Sequence, residues 1–191
     1  MGCAINSGRA RQCHDAIGGI KEVLIGTFST FEGAVTFTED SDSHLVATLP
    51  AATIYRFSLD GSAGHGSFTE NITRSLENGT TFYEGVLEMY LPKITEADQA
   101  NLRDIAPSHL ALFVRLNDQD ANGKDKILYV GADFGAYVNG TSVESGTNFG
   151  DRSGYNLTIR TVSRKPAYFL EAYTSEPFDN YTDIQVDPTY S

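Results

Sequence analysis

The sequence predicts a mainly β fold: two packed antiparallel sheets, sandwich- or barrel-like, with one flanking α-helix and a long hairpin loop. Three observations carry this. Ten Tyr and eleven Phe, with abundant Thr and no Trp, suit pleated and half-buried surfaces. Eighteen Gly among 191 residues demand many turns. Short apolar runs recur along the chain, whereas a single segment carries helix start and stop signals. The length suits one domain with a real core.

Met1 to Gly19 is polar and Gly-containing and reads as an irregular arm. Ile20–Phe28 is the first strand, followed by weaker ones at Ala34–Thr38 and His44–Leu49 across the acidic turn Glu39-Asp40-Ser41-Asp42. Thr53–Leu59 alternates, with Tyr55, Phe57 and Leu59 opposite Ile54, Arg56 and Ser58. Asp60–Thr80 has four Gly and little apolar material, so it is expected as a structureless connection. Joining Thr53–Leu59 to Thr81–Leu91, it would be the projecting tip of one long hairpin. Beyond Pro92, Thr95 is the predicted N-cap of a helix with Glu96 and Asp98 in its first turn, Leu102 and Ile105 on its apolar side and Pro107 as its stop. Leu110–Leu116 and Lys126–Val130 form a hairpin around Asn117–Gly123, and Tyr155–Ser163 follows a Gly-rich stretch.

The strand from Thr81 to Leu91 has two faces with opposite needs. Thr81, Tyr83, Leu87, Met89 and Leu91 give an apolar face, while Phe82, Glu84, Val86, Glu88 and Tyr90 give one with two carboxylates. Such a face either meets water, as is common in antiparallel sheets, or lines something to be repelled.

Charge narrows the classes. A formal −11 opposes nucleic-acid binding by phosphate neutralisation, though not a passage through which nucleic acid slides. Arg9, Arg11 and Lys21 against Asp15 make the start basic, while Glu171, Glu176, Asp179, Asp183 and Asp187 make the end acidic. That asymmetry suits head-to-tail association of identical copies, or two solvated tails. Cys3 and Cys13 are too few for a disulfide framework and are read as reduced thiols. No secretory h-region, myristoylation signal or membrane-length apolar run is seen, so a soluble cytoplasmic product is expected, without membrane association.

Motifs for catalysis or metal binding do not assemble. Asp118, Asp120, Asn122 and Gly123 have the opening spacing of a calcium loop, but its twelfth position is Tyr129 and its flanks are strands, so a hairpin turn is expected. His14, His44, His65 and His109 stand at no zinc-ligand spacing. There is no nucleophile elbow and no phosphate loop. Glu84 and Glu88 could form a glycosidase pair, which leaves a hydrolase as one alternative. No catalytic residue, cofactor or metal is expected.

Several stretches are shared in order with a known family. They are Cys13-His14-Asp15-Ala16-Ile17-Gly18-Gly19-Ile20-Lys21; Phe68-Thr69-Glu70-Asn71 with Glu77-Asn78-Gly79-Thr80-Thr81-Phe82; Asp118–Lys124; and Gly154-Tyr155-Asn156-Leu157-Thr158 with Lys165-Pro166-Ala167. In these the chain resembles the tail tube proteins of long-tailed bacteriophages. The resemblance implies a virion protein made in the bacterial cytoplasm, forming six-membered rings that stack into a tube for genome ejection. It implies itself, other tail proteins and passing, unbound DNA as partners. Residues 1–167 would form the tube domain, with 168–191 an acidic extension docked on a neighbour or disordered. Glu84 and Glu88 become lumen candidates, and Arg9, Arg11, His65, Phe68, Glu70, Arg74 and Glu77 inter-subunit candidates. Two other readings stay open beside it: another tail or head-completion protein, and a monomeric β-sandwich binding carbohydrate or a cell-surface ligand through Asp60–Thr80 and Gly140–Gly154.

Overall fold

A computed structural model describes residues 16–40, 43–59 and 64–187. Arg9 and Arg11 lie outside the described residues. The elements are β1 (Ile20–Thr27), α1 (Phe28–Phe31), β2 (Thr36–Glu39), β3 (His44–Thr48), β4 (Ala52–Ser58), β5 (Gly66–Ser75), β6 (Thr80–Pro92), α2 (Glu96–Ile105), β7 (Leu110–Gln119), β8 (Asp125–Val130), β9 (Ala136–Glu144), β10 (Gly154–Ser163), β11 (Tyr168–Leu170) and β12 (Ile184–Asp187). The mainly β, sandwich-like fold with a flanking helix is as the composition predicts.

The strands make one sheet that folds back on itself. Its larger arm runs β12-β4-β1-β7-β8-β11-β3-β2, and its smaller arm runs β9-β10-β6-β5. The arms meet at one pair, Leu110 of β7 with Ala136 of β9. Pairing is antiparallel except for β11 with β3 and β12 with β4.

Alternation in the central strands creates two cores. Val23 and Ile25 of β1 and Leu112 and Val114 of β7 face inward against Leu87, Met89 and Leu91 of β6 and Tyr155, Leu157 and Ile159 of β10. α2 lies against this first core through Leu102 and Ile105. It starts where the sequence predicts, because the Thr95 hydroxyl accepts the Asp98 N–H at 3.1 Å and satisfies one free amide of the first turn. The opposite faces of β1 and β7, with Leu24, Ala111 and Phe113, belong to a second core.

That second core corrects the expectation for the C-terminal segment. Tyr168, Leu170, Tyr173, Phe178 and Tyr181 are buried in it, while β11 pairs with β8 and β12 with β4. The segment covers its own chain. Its acids stay outside while its aromatics turn inward, helped by a turn in which Asp179 accepts the amides of Thr174 and Ser175 at 2.9 and 2.6 Å.

The 60–80 segment is corrected too. From Gly66 to Ser75 it is strand β5, in register with β6 from Met89 to Thr80. The long hairpin therefore joins β5 to β6, and β4 belongs to the other arm beside β1. Polar residues on both faces hide the strand from a hydrophobicity pattern.

Candidate functional site

The even-numbered residues of β6 do turn away from the core. Glu84 stands between Asn71 of β5 and Val162 of β10, and Glu88 between Ser67 and Thr158. Glu88 is exposed, whereas Glu84 is half-buried beside Arg160, whose Nη1 lies 3.6 Å from Oε1. Ser67, Thr69, Asn71 and Thr73 of β5, with Asn156 and Thr158 of β10, surround the two acids. Asn156 also donates to Glu144 of β9 at 2.6 Å. The outer face of the small arm thus mixes hydroxyls, amides, three carboxylates and one guanidinium with the partly exposed Phe82, Val86, Val162 and Tyr137.

This face is poorly built for hydrolysis. Four residues along a strand separate Glu84 and Glu88 by about 13 Å, beyond the ~6.5–9.5 Å of an inverting pair of carboxyls. Among the described residues, no group of three or more His, Cys, Asp or Glu could hold a metal ion. The Asp118–Lys124 stretch is a hairpin turn: Asp120 accepts the amides of Asn122 and Lys124, both at 2.8 Å, and Asp118 pairs with Lys126 at 2.6 Å.

The inter-subunit candidates fall into two groups. Arg74 and Glu77 are exposed at the hairpin tip, together with Ile72 and Leu76, which are 67% and 83% exposed. Beyond the edge of the first core this ribbon has two bare faces. Phe68 instead packs on its own core. Glu70 turns inward as well and accepts the Ala167 amide at 2.9 Å. Burial raises its carboxyl pKa against that hydrogen bond and the charge of His44. His65 is partly covered, its carbonyl accepting the Tyr90 amide at 2.7 Å and its ring edge-on to the Tyr90 ring.

A second cluster went unread in the sequence. Arg115 of β7 donates to Glu22 at 3.0 Å and to Asp125 at 2.8 Å. Lys21 and Gln119 also donate to Asp125, each at 2.9 Å, and Arg56 lies 3.3 Å from Glu22. The Tyr173 hydroxyl accepts from the Asp125 amide at 3.2 Å and from Arg115 at 3.3 Å. Burial pushes the Asp125 carboxyl pKa up, but donors from Lys21, Gln119 and Arg115, with the Arg115 charge, outweigh it and bring it to about 2. The available signal was a charged residue inside each of two apolar runs, Glu22 and Arg115. Apart from Arg56 Nε, which is buried near Glu22 without a hydrogen bond, the members of the network satisfy one another, and it serves the fold.

Comparison of the chain with family models, curated proteins and solved structures found no match.

Proposed function

We propose that this chain is a self-assembling structural subunit, a tail tube protein of the phage kind its sequence resembles, forming stacked rings around a negatively lined bore. The observation that carries the reading is the small arm β9-β10-β6-β5. One face is spent on the chain's own core, while the other carries Glu84 and Glu88 among hydroxyls, amides and a few apolar side chains. β5 stands at one margin, and β9 touches β7 only at the Leu110–Ala136 pair. Strand margins are surfaces that a neighbouring copy can complete.

The dimensions suit a conduit. Six copies supplying four strands each, at ~4.8 Å per strand, give a wall about 37 Å across before strand tilt. Side chains on the facing surface leave a bore wide enough for duplex DNA. Hydroxyls and carboxylates in that bore would give DNA no counterion-release gain and hence no reason to stall. The test is size-exclusion chromatography with negative-stain imaging of the purified chain. Rings or tubes are expected, and a monomer at every concentration would end the reading.

One observation favours a second reading, a monomeric binding module. Phe149 lies fully exposed in the β9–β10 loop, which Asp151 organises by accepting the amides of Thr147 and Asn148 at 2.9 and 2.7 Å. A preorganised loop presenting an aromatic is a common binding device. A monomer whose melting temperature rises with an added glycan would favour it.

A further inference from the structure

An open groove of about 940 Å³ runs between the β1–β4 pair and α2. Tyr55, Phe57 and Ile105 give it apolar walls, and Asp98, Asp104 and Asp187 give it carboxylates. Tyr55 is 50% exposed there. Arg56, the basic residue along the groove, lies 3.3 Å from Glu22 of the buried ion network, so its charge is directed elsewhere. Asp98 is occupied by the helix cap, accepting from the Thr95 hydroxyl at 2.5 Å. The Asp104 carboxylate pairs with Arg103, 3.0 Å away in an exposed pair of the kind that contributes little. The groove is therefore acidic over an aromatic wall, chemistry that suits an arginine-bearing peptide by charge and by stacking.

Such a peptide lies in the same sequence, because Arg9 and Arg11 stand against Asp15 in the residues before the first described position. The route by which the chain enters the fold indicates which copy it can serve. Asn117 donates from its side chain to the Gly18 carbonyl at 3.0 Å and from its backbone to the Gly19 carbonyl at 3.1 Å. Asp118 accepts the Ile17 amide. Residues 17–19 are thus held beside the end of β7 at the start of β1, while the groove is lined by the far end of β1 (Ile25 to Thr27), by β4 and α2, and by Leu110 at the start of β7. To occupy its own groove the segment would have to reverse and run back along β1. Reaching outward to a neighbour requires no reversal.

Resting on the reading of the chain as a self-assembling subunit, we infer that the groove between β4 and α2 receives the Arg9–Arg11 segment of a second copy. Donor segment and acceptor groove are different parts of the chain, so the contact is heterologous and leaves one of each free at every step. Contacts of that type propagate without closing on a pair.

Two experiments on the full chain test this. The first uses the native Cys13, two residues from Arg11, in a chain carrying Cys3→Ser and Asn101→Cys on α2. Oxidation is expected to give disulfide-linked dimers and higher multimers on a non-reducing gel, reduced at least tenfold by adding Asp104→Lys and Asp187→Lys. A monomer linked within itself, or no link, overturns the inference. The second is a charge exchange between an Arg9→Glu/Arg11→Glu chain and an Asp104→Lys/Asp187→Lys chain. Each alone should need about tenfold more protein to self-associate than the unmodified chain, and mixing them should restore it. Tubes that form without cross-link or rescue would overturn the groove contact and leave the tube reading standing. Cross-link and rescue without rings or tubes would do the reverse.

Discussion

The guanidinium of Arg115 and the carboxylate of Asp125 meet across adjacent strands β7 and β8, with Nε 2.8 Å from Oδ2. Both side chains are largely buried, and the same guanidinium also holds Glu22. Arg115→Ala would leave two buried carboxylates short of their main partner. Losses from broken buried pairs run to about 3–5 kcal/mol, so urea unfolding should show a drop of that order. Asp125 adds a pH signature. Its folded pKa, about 2, lies below the ordinary 3.8, so the stability it supplies is complete above the unfolded value and is lost as pH falls through the folded one. The unmodified chain should therefore lose stability between about pH 4 and pH 2 more steeply than an Asp125→Asn chain, measured by unfolding at each pH.

Phe178 tests whether the C-terminal segment belongs to the fold. Its φ of 71° is a left-handed conformation unusual for a bulky residue, and it is held there by burial edge-on against Phe113 at 5.3 Å. Phe178→Ala should cost about 3–5 kcal/mol in chemical unfolding. A cost below about 1 kcal/mol would mean that the segment is only loosely attached.

Gly154 opens β10 where β6 passes closest. A Cβ there would lie 2.1 Å from the Leu91 carbonyl oxygen and 3.0 Å from Pro92 Cα, both backbone atoms that cannot swing aside. Gly154→Ala should lower stability by about 1–3 kcal/mol, read as a fall in melting temperature.

Glu70 should behave oppositely to Asp125. Burial raises its pKa, so the fold prefers the neutral acid, and stability is lost as pH rises from the ordinary 4.5 through the raised folded value. Glu70→Gln keeps an oxygen for the Ala167 amide and removes the charge. The variant should be the more stable chain at pH 7, with the difference vanishing near pH 4.

The outer face of β6 offers a functional prediction. Glu84→Lys/Glu88→Lys should leave stability within about 1 kcal/mol, since both sites are at the surface and only Glu84 gains a like-charged neighbour, Arg160. On the tube reading proposed above, an assembled variant should retain duplex DNA in a way that weakens steeply with added salt, while the unmodified assembly should not. Filter binding across a salt series measures both.

Legibility in the sequence followed the strength of each local pattern. β1, β6, β7 and β10 were visible because one of their faces, or both, is apolar, and α2 because Thr95 and Pro107 bracket it. The two faces of β6 were visible for the same reason, so the positions of Glu84 and Glu88 could be anticipated. β5 and β9 were not, because their residues are largely polar or exposed and their pairing is set by β6 and β10. The aromatics after Ala167 have no period of two or 3.6, since turns deliver them to the core one at a time. The groove was equally hidden. Asp98, Asp104 and Asp187 converge only through the tertiary placement of α2 and β12.

The second core has a bearing on the order of events in synthesis. Its last wall comes from β11, the aromatics up to Tyr181 and the Ile184 and Val186 side chains of β12, all later in the chain than the strands they cover. Until then the flank of β1, β7 and β8 is covered only in part, by Phe31, Val46, Leu49 and Ile54, an unfinished state that chaperones hold and proteases remove. Translation thereby becomes a timer: the second core closes only once the segment from Tyr168 to Val186 has been made.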